Sequence, residues 1–130
     1  LFEEFIFPYQ HAAIERFGRS YYGCCEPVNT RWHILKHIKN LKRVSVSPWC
    51  DENFMGEALR DGYVYSRKPN PALISTSHFD EEAIRADLRT TLQAAKGCAL
   101  EIVMKDVHTL NNEPGRLGRW VALAREVCGG

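Results

Sequence analysis

Segments with strand periodicity alternate with segments of helical periodicity along the whole chain, and this alternation limits the fold more than any other feature. The strand-like runs are SYYGCC, LKRVSVSPW, YVYSRK and CALEIVMKD, and a helical segment follows each of them. Strands joined by crossover helices form a parallel sheet with right-handed connections. The sequence therefore predicts an α/β fold with an N-terminal helix followed by four βα units.

Several boundaries can be predicted from local sequence signals. LFEEFIFPYQHAAIERFG has the spacing of one amphipathic helix that is kinked at Pro8 and ends at Gly18. Asp80 is expected to cap a helix over residues 81–96. The nearly continuous apolar character of CALEIVMKD is typical of a strand that is covered on both faces.

The number of units suggests the size of the complete architecture. Four strands fit either an open doubly wound sheet or part of a barrel, and a (β/α)8 barrel normally takes about 250 residues. This chain has 130 residues and begins at Leu1, inside a helical pattern that no capping residue precedes. We expect residues 1–130 to form a single partial domain, half of a (β/α)8 TIM barrel, and to be a fragment of a longer chain.

Charge and composition exclude several classes of partner. The net charge of +1, from 17 basic and 16 acidic residues, gives no broad electrostatic reason to expect nucleic acid or an anionic membrane. Apolar runs fall short of the roughly 18 residues that span a bilayer, and the N-terminus lacks the order of a secretory signal. The odd number of cysteines, 5, favours thiols over disulfides. A cytoplasmic protein without membrane or nucleic-acid partners is expected.

Polar and reactive residues follow each predicted strand, where α/β proteins place their functional groups. Asp51 has a second interpretation, because it can cap the following helix. The residues at the four strand ends are Cys24, Cys25 and Glu26; Ser47, Trp49, Cys50 and Asp51; Arg67, Lys68 and Asn70; and Lys105, Asp106 and His108.

The cysteines and the histidine suggest a metal site. Thiolates are good zinc ligands, and a catalytic zinc needs three protein ligands and one open position. Cys24, Cys25 and Glu26 can supply ligands, and His108 or Cys50 can complete the set, although a role as small buried core residues is more common for such cysteines. His108 also suits a general acid or base, or it can be a loop histidine bonded to backbone.

The third strand end suggests an anion site. Arg67 and Lys68 suit the carboxylates or phosphates of a ligand, but they can also form a solvated surface pair. Because side chains alternate along a strand, only one of the two points into a barrel, and the sequence does not decide which. Asn70 is an alternative polar contact, and Trp49 can line a pocket for a flat ligand or pack beneath its loop.

Three stretches carry a family resemblance. VSVSPWCDENFMGEALRDGYVYSRKPNPALI and MKDVHTLNNEP resemble the late strands of the uroporphyrinogen decarboxylase superfamily, which also contains zinc-dependent cobamide methyltransferases. SYYGCCEP falls where the methyltransferases carry a His-x-Cys zinc motif, with Cys24 at the cysteine and Tyr22 in place of the histidine. The resemblance covers nearly the whole chain and implies the C-terminal half of the barrel.

The resemblance also implies roles. His108 matches the decarboxylase histidine that contacts substrate and lies near the last zinc-binding cysteine of the methyltransferases. Ser47 stands where decarboxylases commonly have an aspartate. The leading hypothesis is a fragment of a zinc-dependent, corrinoid-linked methyltransferase that acts on a small molecule with a corrinoid protein as partner. Zinc would be held by Cys24, Cys25 and His108.

Two alternatives stay open. The first is a decarboxylase of a polycarboxylate, porphyrinogen-like substrate, in which Arg67 or Lys68 holds carboxylates while His108 donates a hydrogen bond. The second is a non-catalytic half-barrel module, whose open sheet edges are covered by self-association or by the missing N-terminal half. In the enzymatic cases the parent protein is expected to be active and the fragment alone inactive.

Overall fold

The computed structural model describes residues 1–23 and 25–129, which form an α/β structure around four strands. None of the helices in this described part is long and apolar enough to cross a membrane. The elements are α1 (Phe2–Phe5), α2 (Phe7–Ile14), β1 (Ser20–Tyr22), a 3₁₀ turn (Val28–Arg31), α3 (Trp32–Leu35), β2 (Leu41–Val46), α4 (Glu52–Leu59), β3 (Val64–Arg67), α5 (Ala72–Ser75), α6 (Glu81–Ala94), β4 (Ala99–Ile102) and α7 (Gly115–Val127).

The sheet is parallel throughout, and its strands lie side by side in sequence order, β1-β2-β3-β4. This confirms the predicted α/β class and the parallel sheet. A strand order that never reverses, combined with right-handed crossovers, places the connecting helices on one face. Val44, Val46 and Tyr65 point to that face, and each is fully buried. We call the opposite face of the sheet the open face.

The core consists of two clusters on the helix-covered side. The larger cluster packs α3 and α4 against the sheet around Leu35, Met55 and Leu59. The smaller one joins α5, α6 and α7, with Ile84 and Trp120 among its buried members. Burial of this apolar surface is the main force that holds the helices on one side of the sheet.

Two aspartates cap the amino ends of helices, one at α4, which follows β2, and one at α6, which precedes β4. The Asp51 carboxylate accepts a hydrogen bond from the Phe54 amide at 3.0 Å, and Asp80 accepts one from Ala83 at 3.0 Å. Each bond satisfies an amide of the first turn that lacks a partner inside the helix. The predicted cap at Asp80 is confirmed, and Asp51 acts as a helix cap.

The prediction of one N-terminal helix is wrong in two respects. The segment forms the separate helices α1 and α2, which meet at Ile6, because Pro8 has no amide with which to continue the hydrogen bonding of α1. Its apolar side chains are also largely exposed, 64% for Phe5 and 77% for Tyr9. The apolar residues of this segment therefore have helical spacing although most of them are not buried.

The prediction that the fourth strand is covered on both faces is also wrong. β4 contains only the 4 residues Ala99–Ile102, which are half-buried or exposed. It lies at the edge of the sheet, with β3 as its neighbour, and its ladder ends where the Val103 amide donates to the Arg67 carbonyl at 2.9 Å. Beyond this point the chain leaves the sheet and runs as a loop towards α7.

Gly56 sets the spacing between α4 and α6. A Cβ at this position would lie 1.9 Å from the Ala94 carbonyl oxygen, so Gly56→Ala forces two backbones apart. We expect the substitution to lower the free energy of unfolding by about 1–3 kcal/mol, measured by urea denaturation. Gly118→Ala in α7 is the control, because a Cβ there meets open space. It should raise stability by about 0.5–1 kcal/mol, and equal stabilities of the two variants would contradict this account of the α4–α6 contact.

Candidate functional site

A cleft of about 290 Å³ lies at the carboxyl ends of the strands, on the open face of the sheet. Every strand contributes to it, either directly or through the segment that follows. Because the strands are parallel, their carboxyl ends meet at one edge, and loops of different units come together there. We call this the carboxyl-edge cleft, and its lining residues are Tyr21, Gly23, Cys25, Ser45, Lys68, Met104, Lys105 and Asp106.

Tyr21 is an acid in the cleft whose pKa is lowered by its neighbours. Its hydroxyl lies 2.9 Å from Ser66 Oγ in a hydrogen bond, and the Lys68 ammonium lies 5.6 Å from its ring centroid. Partial burial works to raise the pKa of Tyr21, but hydrogen bonds with Ser66, Lys68 and Ser45, together with the charge of Lys68, lower it overall. This environment stabilises the phenolate, so Tyr21 is suited to proton exchange.

A second cation stands on the other side of the cleft. Lys105 Nζ lies 3.0 Å from Asp106 Oδ1, and it also interacts with the Cys25 thiol. The hydrogen bonds with Asp106 and Cys25 raise the pKa of Lys105, and the bond from Lys105 lowers the pKa of Asp106. The cleft thus combines two ammonium groups, one carboxylate and one exposed thiol.

Gly23 allows β1 to come close to β2 at this point. Its φ is +108°, in the region that favours glycine, and a Cβ would lie 2.9 Å from the Ser45 Cβ. The absence of a side chain at Gly23 lets the two strands approach closely here, and Ser45, which is buried, lies at the base of the cleft.

Arg43 flanks Tyr21 farther down the open face. Its guanidinium lies 5.6 Å from the Tyr21 ring centroid and pairs with Glu101 at 3.3 Å. The pair links β2 with β4 across the open face. Because Glu101 offsets the charge of Arg43, Lys68 is the cation that acts most directly on the tyrosine.

Arg67 and Lys68 point to opposite faces of the sheet, as expected for consecutive residues at a strand end. Arg67 is 3% exposed and faces the helices, where its Nη2 lies 2.9 Å from Glu52 Oε1 and 3.3 Å from Asp87 Oδ1. Its Nη1 donates to the Ser47 carbonyl at 3.0 Å. Arg67 therefore joins β3 to α4 and α6, while Lys68 lines the cleft.

Three residues predicted to bind substrate lie outside this cleft. Ser47 is buried and donates to the Glu26 carbonyl at 3.2 Å. Asn70 Oδ1 accepts from the Ala72 amide at 3.0 Å, at the start of α5. The Trp49 side chain is 65% exposed. Their predicted contacts with substrate stay predictions.

The predicted metal ligands are not brought together among the described residues. Cys25 lines the carboxyl-edge cleft, His108 is exposed and lines a separate depression beside Leu117, and Cys24 lies outside the described residues. Within 1–23 and 25–129, no group of three or more His, Cys, Asp or Glu residues is placed to hold a metal ion. This part of the chain does not fit a three-ligand zinc site, and zinc binding stays a prediction.

Sequence reasoning missed the hydroxyl groups of the site. Tyr21, Ser45 and Ser66 come before the ends of their strands, whereas attention to strand ends selects later residues. The sequence did contain a signal for this polar face. In each of the first three predicted strands, two residues without aliphatic side chains lie two positions apart: Tyr21 and Gly23, Ser45 and Ser47, and Ser66 and Lys68. Such spacing within a strand indicates one polar face.

Known proteins do not assign a function to this arrangement. No family model matches the chain, and no curated protein or solved structure matches it. The resemblance to the uroporphyrinogen decarboxylase superfamily therefore stays an expectation from sequence. Function has to be inferred from the cleft itself.

Because Arg67 faces the helices and Lys68 faces the cleft, their replacement should have very different effects on stability. Arg67→Met leaves Glu52 and Asp87 without their buried cationic partner and should lower the free energy of unfolding by about 3–5 kcal/mol. Lys68→Met should change it by less than about 0.5 kcal/mol. Urea denaturation of both variants checks this. A stable Arg67→Met protein would show that the buried network is not important for the fold.

The environment of Tyr21 predicts a measurable titration. Lys68→Met removes a hydrogen bond and a positive charge that favour the phenolate, while burial still favours the neutral form, so the pKa of Tyr21 should rise. The measurement is the pH-dependent ultraviolet difference spectrum of tyrosinate, with Tyr21→Phe identifying the signal. Lys96→Met, an exposed lysine before β4, is the control. An unchanged Tyr21 titration in Lys68→Met would contradict the assigned cause.

Proposed function

We propose that the carboxyl-edge cleft binds a small carboxylate and supports its decarboxylation, with Lys68 as carboxylate-binding residue and Tyr21 as proton donor. The observation that carries this proposal is the position of the Tyr21 hydroxyl, bonded to Ser66 and next to Lys68 in one open cleft. The cation can bind the carboxylate, and the hydroxyl can supply the proton that replaces it on carbon.

Charge supports the binding step. Lys68 forms no ion pair with a carboxylate in the part of the chain that the structure describes, so its charge is available to a ligand. Lys105 is paired with Asp106, which makes it the weaker partner. A carboxylate between the two ammonium groups would gain charge-assisted hydrogen bonds.

The chemical step makes specific demands on Tyr21. Decarboxylation breaks the bond between a carbon atom and its carboxylate, which leaves as carbon dioxide. The electron pair stays on that carbon, where the substrate has to delocalise it until a proton is taken up. The Tyr21 hydroxyl would donate this proton and become a phenolate stabilised by Ser66 and Lys68. Tyr21 is 45% exposed, so water can restore its proton after each turnover.

The polar open face supports a further part of the proposal, that this sheet is one half of a barrel. Tyr21, Arg43 and Lys68 would then point to the interior, facing strands of the other half. A sequential parallel strand order is the order that a barrel requires. In such an assembly the second half would supply the remaining contacts to the substrate.

A zinc-dependent, corrinoid-linked methyltransferase is the second candidate. The observation that favours it is the exposed Cys25 thiol in the same cleft. Bound zinc would convert a coordinated thiol to a thiolate. We place this candidate second because the described residues supply Cys25 without His108 beside it, and Lys68 and Tyr21 have no role in it.

Binding of tricarballylate, a simple tricarboxylate, tests the first proposal. Titration followed by amide chemical shifts should show binding at the cleft, and Lys68→Gln should weaken it about tenfold because one charge-assisted contact is lost. Tyr21→Phe should retain binding, since it removes a proton donor and not a charge. The matched control is Lys96→Gln. Equal affinity of the wild-type and Lys68→Gln proteins would contradict the proposal.

Zinc analysis of the same preparations separates the two candidates. Stoichiometric zinc under reducing conditions that is lost in Cys25→Ser, together with unchanged tricarballylate binding in Lys68→Gln, would favour the methyltransferase.

A further inference from the structure

A second cationic cleft, of about 440 Å³, lies at the amino ends of the strands, at the opposite edge of the sheet from the proposed catalytic cleft. We call it the amino-edge cleft. Its lining comes from the start of each βα unit, and no aspartate or glutamate is among the lining residues that the structure describes. These residues are Arg19, Lys42, Arg60, Gly62, Tyr63, Val64 and Ala99.

Three cations converge on this cleft from different elements. Arg19 immediately precedes β1, Lys42 lies in β2 and Arg60 follows α4, and all three are exposed. Within the described ranges none of them forms an ion pair, whereas Arg43, Arg67 and other arginines of the chain are paired with carboxylates. Asp61 follows Arg60 but does not line the cleft. The three side chains carry like charges, and an anion in the cleft would be attracted to each of them.

Local structure alone explains only part of this cluster. A cation near the carboxyl end of a helix interacts favourably with the helix dipole, which accounts for Arg60 just after α4. Lys42 lies in a strand and Arg19 comes several residues after α2, so neither is explained in this way. Gly62 adds an accessible backbone, because it is exposed and no atom lies within 4 Å of where its Cβ would stand.

We propose that the amino-edge cleft is a binding site for a small phosphorylated molecule, held by Arg19, Lys42 and Arg60. Guanidinium groups match the oxygen pairs of phosphate, and three cations suit a group with more than one negative charge. A small ligand fits better than a nucleic acid, because the chain's net charge of +1 provides no extended basic field.

The position of the site distinguishes it from the carboxyl-edge cleft. The two clefts lie at opposite ends of the same strands and share no lining residue. A phosphate at the amino edge would therefore anchor or regulate without occupying the proposed catalytic cleft. This inference does not depend on the proposed decarboxylation.

Pyrophosphate binding to the 130-residue chain tests the inference. Titration followed by amide chemical shifts should move the signals of Gly62 and Tyr63, and Arg60→Gln should weaken binding about tenfold. The Arg60 stem lies beside Gly97, so Arg19→Gln and Lys42→Gln serve as second variants that leave this contact unchanged. Arg89→Gln, an exposed arginine on α6, is the matched control and should bind as the wild type does.

Three outcomes would overturn the inference. The first is no pyrophosphate binding by the wild-type protein, or wild-type affinity in the Arg19, Lys42 and Arg60 variants. The second is loss of binding in Lys68→Gln with retention in Arg60→Gln, which would move the anion to the carboxyl-edge cleft. The third is tighter binding of a single-stranded oligonucleotide than of pyrophosphate, which would replace a small ligand with a polymer.

Discussion

The parallel pairing of four strands in sequence order is the constraint on which the rest of this structure depends. It directs the crossover helices to one face and leaves the other face with side chains that must remain compatible with water or with a ligand. The helix-covered face is accordingly apolar around Val44 and Tyr65, and the open face carries Tyr21, Ser45 and Ser66. The hydrophobic core and the candidate site therefore lie on opposite faces of the same strands.

Within this arrangement the chemistry of the carboxyl-edge cleft results from neighbouring strands. Tyr21 comes from β1, Ser45 from β2, and Ser66 and Lys68 from β3 and its end, so the tyrosine's environment exists only when three strands are paired. Gly23 permits the close approach of the first two. No single segment of the chain contains this site, and its properties depend on the tertiary structure.

The sequence was sufficient to predict the parts of the fold that depend on local signals. Periodicity identified the alternating elements, and the cap at Asp80 was correctly predicted from the residue type and its place before a helical segment. Burial was predicted less well, because it depends on what an element packs against. Tyr9 has helical spacing but is exposed, and β4 is apolar but lies at a sheet edge. For the site, Lys68 and Cys25 were named from sequence, whereas the Tyr21 environment required knowledge of strand pairing.

The ion pairs of the buried Arg67 restrict the register in which β3 can pair with its neighbours. A slip of one residue would exchange the faces of every side chain in the strand, taking Arg67 to the open face and turning its neighbour Lys68 towards the helices. The shorter, strongly hydrated ammonium would then have to replace a forked guanidinium that reaches Glu52, Asp87 and the Ser47 carbonyl together. Two adjacent cations of different shape thus help to fix the register of the sheet. In the correct register the arginine meets the carboxylates on the helix side and the lysine lies in the cleft.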